Sequence, residues 1–256
     1  MEVAAVILCG GKGSRMLAGG EDTHKPLLEV GGVPSTKFVI DKLRKCDLNF
    51  SQIIVIAPTN RVSEYEGALL GLGCIVVPQI LPLGTGNAVY VALDYLEQAI
   101  EHVYVSFGTQ PLIRNETVEE TLKTHIEGRF GFTLATVVMD GPYAPLIRNE
   151  SGQVIGSLET HLDGAEMPKR GETNVGSYWA SRSALNTVLV QLHQELYLAK
   201  DEKYSTISGE LGYPNEMVKG CLECGISVEG ALVADEIEMI GIKTPETLEK
   251  IRQILG

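Results

Sequence analysis

The chain is 256 residues long, with 44% apolar and 21% charged residues, which suits one large α/β domain or two small ones and excludes a low-complexity protein. Its 33 acidic residues outnumber the 21 basic ones, and the net charge of -12 argues against a general attraction to nucleic acid or to an anionic membrane. The first apolar run is too short for a signal sequence or a membrane span, and an odd number of cysteines, five, is typical of a reducing compartment. We therefore expect a cytoplasmic protein with no nucleic-acid and no membrane partner.

Short apolar runs rich in β-branched residues alternate with helical patterns along the chain. The first run, residues 3–8, is apolar at every position, as in a strand that is buried on both faces. Further strands are expected at residues 53–57, 74–77, 103–107 and 132–139. The alternation predicts an α/β fold with a mostly parallel, Rossmann-like central sheet and flanking helices. Turn signals at residues 140–142 and 150–152 predict β-hairpin insertions beside this sheet.

Three of the helices can be placed from capping residues and from apolar residues at helical spacing. One helix is expected to begin near Gly86. The next follows Asn115 as its N-cap, with Val118, Leu122 and Ile126 on one side. The last begins after Thr244, with Pro245 at its first position.

Several conspicuous side chains have ordinary structural interpretations. His125 and His193 fall on helical patterns and are expected at the surface, whereas Trp179 is expected in the core. His24 either contacts a phosphate or faces water.

The strongest functional signal directly follows the first strand. A glycine-rich turn lets backbone N–H groups point at a phosphate without hindrance from Cβ atoms, and Arg15 and Lys25 add positive charge. The turn does not fit a P-loop, because Gly13 follows Lys12 where Ser or Thr is required. It does not fit a dinucleotide fingerprint either, because the third glycine would fall on Met16. We expect a phosphate-binding turn of another kind, and a purely structural turn is the alternative.

Several segments together resemble the sugar-phosphate nucleotidyltransferase family, which has the MobA-like NTP transferase fold, over nearly the full chain. Within it, the resemblance is greatest to the uridylyltransferase domains of bacterial N-acetylglucosamine-1-phosphate uridylyltransferases, without their β-helix acetyltransferase domain. The matching segments are Gly11-Lys12-Gly13-Ser14-Arg15-Met16 with Lys25-Pro26, Gln79 with Leu83-Gly84-Thr85-Gly86, residues 107–112, Glu159, and Asn174-Val175-Gly176. The resemblance implies a nucleotide-diphospho-sugar transferase fold in a single domain, residues 1–256. Its nucleotide-binding half would span about residues 1–112, and its sugar-binding half about residues 113–256.

The resemblance also implies a reaction and a set of site residues. A sugar 1-phosphate would attack the α-phosphorus of an NTP and give an NDP-sugar and pyrophosphate. The resemblance favours UTP as this NTP. Arg15 and Lys25 would be catalytic. The implied nucleotide-binding residues are Leu8, Cys9, Gly10, Gly11, Lys12, Gly13, Ser14, Arg15, Lys25, Gln79, Gly84 and Thr85. The implied sugar-binding residues are Thr109, Ala144, Glu159 and Asn174.

Mg²⁺ is the cofactor that the resemblance implies, but its usual protein ligands are missing. In the family an Asp and an Asn bind it, and the aligned residues here are Thr109 and Lys243, a poor pair for a hard divalent cation. In one interpretation, the ammonium group of Lys243 substitutes for the metal. In another, substrate phosphates and water hold Mg²⁺ with help from Asp235, Glu236 or Glu238. The other interpretations are binding without turnover and an alignment at Lys243 that is shifted by one residue.

The leading hypothesis is a sugar-1-phosphate nucleotidyltransferase that uses UTP. A catalytically weakened relative that binds a nucleotide or an NDP-sugar is the main alternative, and a cytidylyl- or guanylyltransferase acting on a non-sugar phosphate is a third. Ala144 stands where the family usually has Gly, so the identity of the sugar is left open.

Overall fold

A computed structural model describes residues 1–10, 24–158 and 168–256. Its centre is a seven-stranded sheet with the strand order β13-β7-β10-β6-β1-β4-β5. The bounds of these strands, in chain order, are β1 Glu2–Leu8, β4 Phe50–Pro58, β5 Ile75–Gln79, β6 Ile100–Phe107, β7 Phe132–Asp140, β10 Arg170–Ser181 and β13 Val228–Leu232. The short strands are β2 Glu29–Val30, β3 Val33–Pro34, β8 Leu146–Arg148, β9 Val154–Ser157, β11 Tyr197–Leu198 and β12 Lys203–Tyr204, which pair as β2 with β3, β8 with β9 and β11 with β12.

The central sheet is parallel except at one strand. β1 pairs in parallel with β4 and β6, β4 with β5, and β7 with β13, whereas β10 runs antiparallel between β6 and β7. The expected strands are therefore present, and the mostly parallel α/β sheet is confirmed. The hairpin β8–β9 lies where turn signals predicted an insertion.

Seven α-helices lie in the described ranges. They are α1 Ser35–Leu43, α2 Val62–Ala68, α3 Thr85–Leu93, α4 Asn115–Glu127, α5 Arg182–Leu196, α6 Pro214–Glu223 and α7 Pro245–Leu255. Helices α1 to α6 pack in the two cores on the faces of the sheet. None of the helices in the described part of the chain is both long enough and apolar enough to cross a membrane.

Alternate residues of β1 enter two separate cores, as expected for a strand covered on both faces. Ala4, Val6 and Leu8 pack in a core that α3, α5 and α6 complete, and Val3 and Ile7 pack in the opposite core with α1, α2 and α4. A third, smaller core joins α7 to β2. The carboxyl end of β1 therefore lies between the two cores.

Two expectations about α4 are wrong. The N-cap of the helix is Arg114 rather than Asn115, whose Nδ2 donates instead to the carbonyl oxygen of Lys42 at 3.2 Å. His125 is fully buried rather than at the surface, because it bonds to groups on the sheet. Val118 and Leu122 on the same side are buried, whereas Ile126 is 36% exposed.

Of three further expectations, those for Trp179 and helix α7 are confirmed and the one for His193 is wrong. Trp179 is fully buried as predicted, and its Nε1 donates to the carbonyl oxygen of Val118 at 2.9 Å. His193 is half-buried rather than exposed. Helix α7 begins at Pro245 after the N-cap Thr244, as predicted.

Candidate active site

The ends of three parallel strands form one edge of the sheet. β1 ends at Leu8, β5 ends at Gln79, and β6 ends just before Gly108, whose N–H donates to the carbonyl oxygen of Leu8 at 3.0 Å. The chain runs from β1 outward to β4 and β5, and then returns to the other side of β1 as β6. The order therefore reverses between β1 and β6, which in open α/β sheets is where ligands bind, beyond the carboxyl ends of the strands.

The segment that begins at Lys25 packs directly onto this edge. Lys25 is half-buried and starts a short 3-10 helix, Lys25–Leu27, and the Oγ1 of Thr36 donates to the carbonyl oxygen of Pro26 at 2.8 Å. A Cβ atom on Gly108 would lie 2.6 Å from the Sγ of Cys9 and 3.2 Å from the Cβ of Pro26. Only glycine at position 108 allows the three segments to meet this closely.

Cys9 is an inert part of this packing. It is fully buried, its Sγ lies 3.4 Å from the Oγ1 of Thr36, and burial raises the pKa of its thiol to about 12. A thiol in this state is protonated at neutral pH and does not act as a nucleophile. Gly10, which follows Cys9, is exposed.

His24 lies beside Lys25 but does not face water. Its side chain is buried, and its Nδ1 lies 2.8 Å from the hydroxyl of Tyr65. Of the two alternatives for His24, the one that faces water is therefore wrong.

Gln79 is buried at the end of β5 and is held by its amide nitrogen. The Nε2 atom donates to the carbonyl oxygen of Gly84 at 3.0 Å and to the Oδ1 of Asn87 at 2.9 Å. A Cβ atom on Gly10 would lie 2.6 Å from the Oε1 of Gln79, so the amide oxygen faces Gly10. Gln79 and Gly10 thus lie next to each other, as two candidate nucleotide-binding residues should.

The backbone of Leu211 holds the loop that contains Gly84 and Thr85. Gly84 has φ of +97°, and a Cβ atom there would lie 2.4 Å from the carbonyl oxygen of Leu211. That carbonyl oxygen also accepts the N–H of Gly86 at 2.8 Å, and the N–H of Leu211 donates to Leu83. Thr85 is half-buried and begins helix α3 at this place.

Thr109 and Lys243 lie on neighbouring segments. The N–H of Ile242 donates to the carbonyl oxygen of Thr109 at 2.8 Å, so the residue after it, Lys243, is close to the end of β6. Lys243 is exposed, with its Nζ 4.9 Å from the centre of the Tyr143 ring.

The residues at this position do not fit Mg²⁺. A neutral hydroxyl and an ammonium group offer no anionic oxygen to a hard divalent cation. In the residues that the structure covers, no group of three or more His, Cys, Asp or Glu side chains could hold a metal ion.

Two of the three carboxylates considered as helpers for Mg²⁺ are bound to Arg114 instead. Glu238 is fully buried and accepts from the Nε of Arg114 at 3.0 Å and from the Oγ1 of Thr117 at 2.9 Å. Asp235 lies 2.8 Å from Nη1 of the same guanidinium. Glu236 is exposed on the short 3-10 helix Glu236–Met239.

The candidate sugar-binding residues Asn174 and Ala144 flank a break in β10. Between Asn174 and Tyr178 the register of β10 with β7 shifts, and Gly176 has φ of +86°. Ala144 is buried, and its N–H donates to the Oγ1 of Thr173 at 3.0 Å.

The side chain of Asn174 keeps one polar atom without a partner. Its Oδ1 accepts from the hydroxyl of Tyr178 at 2.8 Å, and its buried Nδ2 makes no hydrogen bond with any of the described residues. A buried amide nitrogen without an acceptor is costly, which is typical of a group that meets a ligand.

Sequence reasoning missed two polar residues next to these positions. Gln110 has a buried Oε1 with no hydrogen bond, and a Cβ atom on Gly176 would lie 2.0 Å from it. Asn87 is 7% exposed and holds Gln79. The available signal for Asn87 was a polar residue inside the apolar pattern of α3; Gln110 carried no comparable signal.

Part of the predicted site cannot be placed. Gly11, Lys12, Gly13, Ser14, Arg15 and Glu159 lie outside the described residues.

Comparisons with known proteins point in one direction. The family model described as "MobA-like NTP transferase domain" matches residues 5–170. The "Bifunctional protein GlmU" of Clostridium novyi (strain NT) is 32% identical over 257 residues, which cover 100% of this chain and 52% of that protein. The chain thus spans about half the length of the curated relatives that it matches.

Solved structures share the fold at low sequence identity. A putative glucose-1-phosphate thymidylyltransferase from Bacillus anthracis has a TM-score of 0.72 and 17% identity, with 99% of this chain and 95% of that chain covered. A nucleotidyl transferase from Methanothermobacter thermautotroptrophicus has a TM-score of 0.62 and 19% identity, with 99% and 97% covered. A CMP:2-keto-3-deoxy-manno-octonic acid synthetase in complex with CTP has a TM-score of 0.65 and 16% identity, with 99% and 98% covered.

Proposed function

Because this chain belongs to the family of MobA-like NTP transferase domains, we propose that it transfers a nucleotidyl group from UTP to a sugar 1-phosphate and releases pyrophosphate. One observation carries the proposal. At one sheet edge, where the strand order reverses, the structure brings together the segments that contain Gly10, Lys25, Gln79 and Thr109. The similarity to GlmU over the whole chain supports a sugar phosphate as the acceptor.

The proposed reaction needs charge neutralisation more than covalent catalysis. An oxygen of the sugar 1-phosphate forms a bond to the α-phosphorus of UTP while the bond from that phosphorus to the bridging oxygen breaks. Pyrophosphate leaves with the electron pair. Lys25 neutralises oxygens of the α-phosphate as charge develops, and Arg15 holds the leaving pyrophosphate.

The two substrates are assigned to the two sides of the crevice. On the nucleotide side, backbone atoms of residues 8–14 hold phosphates, and Gln79 with Gly84 and Thr85 binds the base. On the sugar side, the unpartnered Nδ2 of Asn174 donates to a sugar hydroxyl or an N-acyl oxygen. Ala144, Thr109 and Glu159 complete that side.

Lys243 is proposed to supply the positive charge that the Thr109 position lacks. Its backbone is held next to Thr109 by the hydrogen bond of Ile242, and an ammonium group there neutralises phosphate charge without a metal ligand set. This makes the alignment of Lys243 with the family's metal-binding Asn structurally reasonable.

An assay of pyrophosphate release tests the proposal. UTP, CTP, dTTP, GTP and ATP are each tested against a panel of sugar 1-phosphates, and we expect turnover with UTP. Lys25→Ala should lower kcat by about 10²-fold and weaken UTP binding much less, because the backbone part of the phosphate site remains. The control is Lys45→Ala, which changes an exposed lysine away from the crevice.

The same assay, run with Mg²⁺ and with a chelator, tests the assignment of Lys243. Activity should survive chelation, and the double variant Thr109→Asp, Lys243→Asn should become dependent on Mg²⁺. Loss of wild-type activity on chelation, with recovery on adding Mg²⁺, would refute the assignment. Absence of both turnover and nucleotide binding would refute the proposed function.

A second candidate function is binding without turnover. Thr109 and Lys243 favour it, because they replace the metal ligands expected from the resemblance. Measurable binding of UTP or a UDP-sugar, with no pyrophosphate released from any substrate pair, would select this candidate.

A further inference from the structure

A chain of buried hydrogen bonds leads from Gln79 to helix α5. It runs through Asn87 on α3 and Tyr204 on β12 and ends at His193. Gln79, Asn87 and Tyr204 are at most 7% exposed, and His193 is half-buried. These bonds join four elements, β5, α3, β12 and α5, behind the candidate base-binding position.

The chemistry of the partners fixes the orientation of the Gln79 amide. A carbonyl oxygen only accepts, so the group of Gln79 that lies 3.0 Å from the Gly84 oxygen is the NH₂. The second N–H donates to the Oδ1 of Asn87 at 2.9 Å. Both donors are thereby used, and Oε1 remains as a hydrogen-bond acceptor that faces Gly10.

The orientation of Asn87 is fixed in turn. Its Oδ1 accepts from Gln79, so its Nδ2 donates to the Tyr204 hydroxyl at 3.2 Å. The hydroxyl of Tyr204 keeps its own proton, and the Nδ1 of His193 lies 2.8 Å away and accepts it when the ring is protonated at Nε2. The bonds from Gln79 to Tyr204 therefore each have one direction.

Two aromatic neighbours hold the ring of His193 in place. Its imidazole is stacked between Tyr90, at a ring-centre distance of 4.3 Å, and Tyr197, at 4.8 Å. Burial lowers the pKa of His193 and so favours the neutral ring, which accepts a hydrogen bond from the hydroxyl in the tautomer that is protonated at Nε2.

We propose that Asn87 is a positioning residue, held through Tyr204 by His193, that fixes Gln79 as a hydrogen-bond acceptor for a ring N–H of the nucleotide base. The inference rests on the proposed function, because it assigns the base to Gln79. Among pyrimidines, uracil and thymine carry a ring N–H as an imide, whereas cytosine has a lone pair on the corresponding nitrogen. The relay thereby favours UTP or dTTP over CTP.

Binding measurements with three probes test the relay. UTP, CTP and inorganic tripolyphosphate are titrated into the wild type and into Asn87→Leu, which keeps the side-chain size but removes both amide contacts. We expect Asn87→Leu to weaken UTP binding about tenfold, to reduce the preference for UTP over CTP, and to leave tripolyphosphate binding unchanged. The matched control, Gln191→Leu, removes an exposed amide on α5 and should change none of these values.

Tyr204→Phe is the second variant, because it removes only a hydroxyl and keeps the packing if Asn87→Leu does not fold. It should weaken UTP binding about threefold, again without an effect on tripolyphosphate. Equal losses for UTP and tripolyphosphate, or UTP affinities within twofold of the wild type in both variants, would overturn the relay. A wild type that binds no nucleotide would instead defeat the proposed function itself.

Discussion

The imidazole of His125 lies in the interior between helix α4 and strand β7. Its Nδ1 is 2.9 Å from the Oγ1 of Thr133, and its Nε2 is 3.1 Å from the Nδ1 of His102. Burial, and secondarily the neighbouring His102, lowers the pKa of His125 from 6.5 to about 3. The native protein therefore keeps this ring neutral at pH values where an unfolded chain protonates it.

Acid should destabilise the native state through His125. The pKa of His125 is lower in the folded chain than in the unfolded one, so protonation of this ring favours the unfolded chain. The contribution of this ring to native stability is therefore fully present above pH 6.5 and decreases as the pH falls from there toward about 3. We expect the free energy of unfolding to decrease by up to about 1.4 kcal/mol per pH unit from this group. Denaturant unfolding between pH 7 and pH 5 measures the slope.

His125→Gln is the comparison for this slope. Glutamine keeps a donor and an acceptor for Thr133 and does not titrate in this range. The variant should show a smaller loss of stability between pH 7 and pH 5 than the wild type. Equal slopes in the two proteins would show that His125 is not the group responsible.

The hairpin β8–β9 is attached to the sheet by one guanidinium. Arg148 contacts Glu172 with its Nε at 2.6 Å and Glu229 with its Nη1 at 2.7 Å, and its Nη2 donates to the carbonyl oxygen of Gly230 at 2.9 Å. The side chain of Arg148 is 27% exposed, so water screens these bonds only in part. Arg148 thus joins the hairpin to β10 and β13.

Loss of the Arg148 guanidinium should destabilise the fold. Arg148→Ala leaves Glu172 without its bidentate partner, and we expect the free energy of unfolding to fall by about 2 kcal/mol. Arg170→Ala is the control, because Arg170 pairs with Asp140 at the surface, where the side chains are 60% and 82% exposed. That change should cost less than about 1 kcal/mol in a urea titration, and similar losses for both variants would contradict the assignment.

Sequence patterns predicted strands better than helix ends. The apolar run at residues 3–8 predicted β1 almost to the residue, because burial on both faces leaves a continuous apolar signal. The helix start at Asn115 was placed one residue late, because its side chain bonds to Lys42 on a distant segment. A contact between residues far apart in sequence leaves no mark in local spacing.

Of the segments that carry the resemblance, those with Lys25, Gln79 and Thr109 lie in the described ranges and meet at the carboxyl ends of the parallel strands, near the reversal between β1 and β6. Motif order indicated that these segments belong together, and the parallel sheet explains why their ends meet. The antiparallel insertion of β10 between β6 and β7 and the bond chain behind Gln79 could not be predicted, because both depend on pairings between distant segments. The bond chain matters for function, since the proposed preference for UTP or dTTP over CTP depends on it.

A crystal structure of the protein with bound UTP tests the location of the nucleotide most directly. We predict that a ring nitrogen of uracil lies within hydrogen-bond distance of the Oε1 of Gln79, and that the triphosphate lies along Gly10 toward Lys25. A nucleotide bound elsewhere would contradict this. One such place is the cleft of about 670 Å³ beside His102 and Arg129, at the opposite edge of the sheet.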